Sequence, residues 1–119
     1  MGRIYEVADG DFAAVQRSEA KAVASHVLLG LEQGGRTRLA VTRIEPGGSF
    51  GPHVDDYGHV ICVLEGRGEL KVGGRRTPAA PGTIMVTEPG EPHGMFATEG
   101  EPFVLVAANV YDDGHPALS

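Results

Sequence analysis

The sequence predicts an all-β protein, a single antiparallel barrel or sandwich, on three observations. Glycine (18 residues) and proline (8 residues) are spaced between short apolar segments, a punctuation that reads as many short strands joined by turns. No linker, internal repeat or low-complexity tract interrupts the 119 residues, a length that suits one domain with its own core and no disulfide staples. Closing or stacking one antiparallel sheet is the simplest architecture that removes the edges such strands would expose.

Taken in chain order, the elements begin with a short helix near Asp11–Arg17, followed by a strand over Ala22–Leu31. That strand competes with a helical reading, because Val15, Val23 and Val27 also suit helical spacing. Further strands are expected over Thr37–Ile44, His59–Leu64, Gly68–Val72, Gly82–Val86 and Pro102–Tyr111. Glu32-Gln33-Gly34-Gly35 and Val72-Gly73-Gly74 offer glycines where a hairpin needs positive φ. Glu45-Pro46-Gly47-Gly48, Ala80-Pro81-Gly82 and Glu88-Pro89-Gly90 join a φ-fixing proline to a permissive glycine. Arg75 and Arg76 follow a glycine turn and are placed on an exposed strand.

Bulk properties exclude several classes. The net charge is −6 and the basic residues are scattered, so the chain lacks the electrostatic footprint of a nucleic-acid binder. No run approaches the ~18 apolar residues of a membrane span. The start, MGRIYEVADG, lacks the apolar stretch of a secretory signal, and a cytoplasmic location is expected. Cys62 is the only cysteine; it excludes an internal disulfide or a multi-cysteine zinc cluster and reads as a small buried hydrophobe within HVICVL.

The chemistry concentrates in histidines. In His53-Val54-Asp55-Asp56-Tyr57-Gly58-His59, side-chain alternation along an extended chain puts 53, 55 and 59 on one face and Asp56 on the other. A turn or bulge within Asp56-Tyr57-Gly58 would shift that register. His93 arrives from a distant segment behind the rigid turn Glu88-Pro89-Gly90-Glu91-Pro92. Three imidazoles and a carboxylate suit one divalent transition ion, whether Fe, Mn, Ni, Co, Cu or Zn, and leave positions open for water or substrate. His26 and His115 are read as structural, in a strand and a polar tail.

These segments resemble the two motifs of the cupin superfamily. In the first, Gly47 or Gly48 takes the opening glycine, His53 the first histidine and Gly66 the closing glycine, with Val63-Leu64-Glu65-Gly66-Arg67-Gly68 as the hairpin. In the second, Gly82, Gly90 and His93 fall at motif positions, while Glu88 replaces a proline and Ala97 an asparagine. Asp55 stands where the second histidine is expected and His59 where the glutamate is expected, so three histidines and one carboxylate survive with two members exchanged. Asp is one methylene shorter than Glu, so Asp55 reaches a metal either directly or through water.

The resemblance implies a double-stranded β-helix, or jelly-roll barrel, over residues 1–119 with its core at about 22–111. It implies a metal site of His53, Asp55, His59 and His93, a small-molecule ligand in the barrel, and a homodimer. The activity expected is that of a metal-dependent dioxygenase, isomerase or lyase on a small oxygen-bearing molecule such as a 1,2-dicarbonyl, enol or carboxylate. Asp55 or Asp56, and Tyr57, are the nearby acid–base candidates, Tyr57 also reading as a pocket-lip residue. The alternative is a binding module without catalysis, since fold alone does not choose a reaction.

Overall fold

The computed structural model describes residues 2–118, the side chains of residues 33 and 34 excepted. Positions 1 and 119 of the predicted domain lie outside the described residues. Nine strands follow in order: β1 (Ala13–Ala14), β2 (Ala20–Leu29), β3 (Thr37–His53), β4 (Gly58–Glu65), β5 (Gly68–Val72), β6 (Arg75–Ala79), β7 (Ile84–Thr87), β8 (His93–Ala97) and β9 (Phe103–Val110). All the recorded pairings are antiparallel. No helix of the described residues is long and apolar enough to cross a membrane.

The all-β prediction holds. The helix expected near Asp11–Arg17 does not form: a 3-10 turn spans Asp9–Asp11 and β1 follows. Ala13 and Ala14 pair instead with Ser25 and Ala24, so tertiary pairing overrides a weak helical preference. The competing segment after Ala20 is strand, as its β-branched Val23 and Val27 favour. Between β2 and β3 the expected glycine turn carries one helical turn, Leu31–Gly34.

β3 organises the molecule. Its first half lies between β2 and β9, and its second half pairs with β8, giving the order β6-β5-β8-β3-β9-β4-β7. The change of partner from β9 to β8 falls at Glu45-Pro46-Gly47-Gly48, which the sequence suggests is a turn. The strand runs on through it as a bulge: Val23 pairs with Ile44 and Lys21 with Ser49, so four residues oppose Ala22 alone. Gly47 takes φ 74° at that bend, a conformation that favours glycine.

The sheet curls into a half-barrel and does not close. Among the described residues no ladder joins β6 to β7, and a cleft lined by Leu70, Val72, Thr77 and Met85 separates them. The expectation that a closed sheet removes every edge is thereby corrected. The β6 edge is blunted by charge, with Arg75 and Arg76 exposed as expected and Arg76 paired to Glu69 at 3.3 Å.

Alternation sets the core. In β4, Ile61 and Val63 point inward and are 1% exposed, while Val60 and Leu64 face out. Cys62 shares the outward face and is half-buried, which corrects its reading as a core residue. Phe103, Ile44 and Leu105 complete the innermost layer. A Cβ at Gly68 would overlap the Phe96 carbonyl and the Phe103 ring, so the hairpin glycine lets that ring fill the core. This packing leaves the opposite end of the half-barrel to the histidines.

Candidate metal centre

Strand ends deliver the predicted ligands to one place. His53 is the last residue of β3 and stands opposite His93, the first of β8, with ring centroids 4.3 Å apart. His59, near the start of β4, puts its ring 4.6 Å from that of His93. Asp55 lies in the connection from β3 to β4, held from behind by the Gly90 N–H, which donates to its carbonyl at 2.9 Å. That connection is a turn, yet it keeps 53, 55 and 59 inward and sends Asp56 outward, as parity predicts. Asp56 pairs instead with His115 Nε2 at 2.8 Å, while the His115 ring packs on Tyr57 and Tyr111. The polar tail thus folds over the β3–β4 connection, and His115 is structural as expected.

One carboxylate oxygen gathers the imidazoles. Asp55 Oδ2 lies 2.9 Å from His59 Nε2, 3.3 Å from His53 Nε2 and 3.6 Å from His93 Nε2. The donor atoms of His53, Asp55 and His93 all fall within 4.8 Å of one another. His59 stands outside that tightest group and joins it through the carboxylate. Asp55 Oδ1 accepts from Arg17 at 3.1 Å, and Arg17 also holds Glu19 at 3.0 Å. The sequence reading did not single out Arg17, because its contact with Asp55 spans two elements that only tertiary structure brings together.

Hydrogen bonding fixes two of the rings. His53 Nδ1 donates to the Gly51 carbonyl and His93 Nδ1 to the Glu91 carbonyl, both at 2.9 Å. A carbonyl can only accept, so each neutral ring presents a bare Nε2 lone pair to the site. Those lone pairs face an ionised carboxylate, an arrangement that repels unless a proton or a cation lies between. Burial, reinforced by the neighbouring imidazoles, pushes the His93 pKa down and disfavours the proton. Its Nε2 is buried with no hydrogen-bond partner among the described residues. The donor set therefore fits a divalent ion, with the backbone carbonyls as the outer partners that orient ligating histidines.

His59 differs. Its Nε2 donates to Asp55 at 2.9 Å, and its buried Nδ1 has no partner among the described residues. To ligate, it must give up that hydrogen bond and move its proton to a nitrogen with no acceptor.

Asp55 is ionised. Burial opposes the charge, but hydrogen bonds from His53 when its Nε2 carries a proton, from His59 and from Arg17 outweigh it and hold the carboxyl well below the usual range. Tyr57 is the reverse case: burial, then the Asp55 charge, push its phenol up to about 12. Beside the centre lies a cavity of about 240 Å³, walled by Phe50, Ile61 and Met95 and reached by Arg38 and Asn109.

A model of the cupin domain matches residues 40–109, more than half of the chain. No curated protein gives a significant match. Among solved structures, a cupin-2 domain from Rhodospirillum rubrum aligns at TM-score 0.78 and 20% identity, over 93% of this chain and 76% of that one. The polyketide cyclase RemF from Streptomyces resistomycificus aligns at TM-score 0.76 and 28% identity, over 92% and 81%. A predicted oxalate decarboxylase from Thermotoga maritima aligns at 0.71 and 25% identity, over 76% and 81%. With the jelly-roll topology and both histidine-bearing segments inside the matched region, the chain belongs to the cupin family.

Proposed function

We propose that the protein is a metal-dependent cupin enzyme acting on a small oxygen-bearing organic molecule by isomerase, lyase or dioxygenase chemistry. The observation that carries this reading is the pair of Nε2 lone pairs, on His53 and His93, aimed at the Asp55 carboxylate. His53, His93 and Asp55 would hold the ion, with His59 as a further ligand or as the donor that steadies Asp55. A divalent transition ion there would supply Lewis acidity or oxygen activation.

The chain's own residues then have distinct tasks. Asp55 is a poor base, because the hydrogen bonds from His59 and Arg17 stabilise its ionised form; its part is to ligate and to orient the imidazoles. Tyr57 keeps its proton throughout the neutral range and can donate a hydrogen bond or a proton to an oxygen in the cavity. Phe50, whose ring stacks on His53 at 4.2 Å between centroids, joins Ile61 and Met95 in an apolar wall that excludes water from the cavity. The likeness to a polyketide cyclase supports a substrate with carbonyl or enol oxygens, which such a donor set suits.

The test is metal content of the purified protein and of His53→Ala and His93→Ala, followed by turnover of diketones, phenols and keto acids. We expect about one ion per chain, lost in both variants, and turnover that follows the ion. Failure to take up any divalent ion after reconstitution overturns the metal centre. An ion-loaded protein that ligands stabilise against heat but that turns none of them over is a binding module.

A further inference from the structure

The cavity carries a second polar feature that the metal centre does not use. Arg38 on β3 pairs directly with Asn109 on β9, and Asn109 pairs directly with His59 on β4. Directly opposed residues of neighbouring strands share a face. Because His59 points inward, the Arg38 guanidinium and the Asn109 amide form one row with it, and all three line the cavity. Among the described residues, no hydrogen bond or ion pair engages either side chain of Arg38 or Asn109. This contrasts with Arg17, which is committed to Asp55 and Glu19.

Charge inside the cavity is opposite to that of the whole chain. The chain carries −6, yet the lining holds Arg17 and Arg38 against a single acidic side chain, Asp55, whose charge Arg17 already faces. A divalent ion would add to the positive potential. One row deeper, Ala40 pairs with Ala107, and these small side chains leave the apolar space open. The volume of about 240 Å³ accommodates on the order of ten non-hydrogen atoms. Neighbouring strands lie about 4.8 Å apart, so the Arg38 and His59 backbones are separated by roughly 10 Å across β9. Their side chains shorten the gap to the length of a small bifunctional molecule.

We infer that this cavity binds a small organic acid, with its carboxylate on Arg38 and Asn109, its apolar body over Ala40 and Ala107, and a second oxygen directed at the histidines. The guanidinium fork matches a carboxylate in two parallel hydrogen bonds, which an ammonium cannot reproduce. As the identity of the substrate, this rests on the proposed metal-dependent function; the anion site itself needs only Arg38 and the cavity.

The experiment is calorimetric titration of the ion-reconstituted protein with benzoate, salicylate and 2-oxopentanoate, and with benzamide as the uncharged match to benzoate. We expect saturable carboxylate binding, with benzamide at least tenfold weaker. Arg38→Gln should weaken benzoate at least tenfold while leaving benzamide and metal content unchanged, and Arg38→Lys should recover only part of the loss. Arg75→Gln, on the exposed β6 edge, should change nothing. Equal affinity for benzoate and benzamide, benzoate binding undiminished in Arg38→Gln, or no saturable carboxylate binding across the panel overturns the inference. Arg38-dependent benzoate binding in a protein that takes up no metal would sustain the anion site while refuting the proposed metalloenzyme.

Discussion

His93 and His53 face each other across the β3–β8 ladder with ring centroids 4.3 Å apart, and each ties its Nδ1 to a carbonyl two residues back in its own chain. The same device on two strands of different origin leaves two lone pairs converging on one carboxylate. The two histidines are therefore equivalent in kind, and His59 is not.

Removing His53 or His93 should consequently cost more metal affinity than removing His59. We expect losses of about 100-fold for His53→Ala or His93→Ala and about tenfold for His59→Ala, the range over which ligands and their orienting partners act. Competition titration against a chelator measures the difference. Equal losses would show that His59 gives up its 2.9 Å hydrogen bond to Asp55 and ligates fully.

Acid should destabilise the metal-free protein in two stages. His93 has a folded pKa below its ordinary value, so the unfolded chain takes the proton first. Its contribution is complete above the unfolded value of about 6.5 and is lost as pH falls below it. Asp55 is likewise depressed, and its contribution holds above about 3.9 and disappears at lower pH. Urea midpoints measured from about pH 8 to about pH 3 should fall in both windows, and His93→Gln should flatten the first. A flat profile through the first window would contradict the neutral, buried His93.

Tyr57 should ionise late. Its folded pKa is raised to about 12, so its stabilising contribution is present below the unfolded value of about 10 and is lost as pH rises through 12. Ultraviolet titration of the phenolate should show a late step that Tyr57→Phe abolishes. A Tyr57 step near 10 would remove the case for a phenol shielded by burial and by Asp55.

Filling the cavity should separate ligand binding from metal binding. Ala107→Leu adds three carbons beside Ala40, at a position that is not one of the candidate ligands. We expect unchanged metal content, ligand affinity reduced at least tenfold, and a stability change of no more than about 3 kcal/mol, the usual upper range for added methylenes. Unaltered ligand affinity would place the ligand elsewhere.

Chelation supplies a further check. A ligand that binds only the folded state stabilises it by about 2.7 kcal/mol at 100 times its dissociation constant. Stripping the ion should lower the thermal midpoint, and readdition should restore it in wild type but not in His93→Ala. A midpoint indifferent to metal in the wild type would argue against a centre at these residues.

Local signals carried far in this chain. Turn glycines and prolines announced the strands, and parity alone assigned His53, Asp55 and His59 to one face and Asp56 to the other. The spacing of Gly47 or Gly48, His53, Gly66, Gly82, Gly90 and His93 marked the family, because these positions hold bends and candidate ligands that depend on near neighbours in the chain. What depends on cross-strand register stayed hidden. The Arg17 grip on Asp55, the Arg38–Asn109–His59 row, the bulge that makes Glu45–Gly48 a bend within β3, and the open seam between β6 and β7 each join segments far apart in sequence. The distinct standing of His59 was decided at the same level, because it turns on which atom reaches the Asp55 carboxylate first. Periodicity is a property of one strand, whereas register and hydrogen-bond partnership belong to pairs of strands, and only folding chooses the pairs.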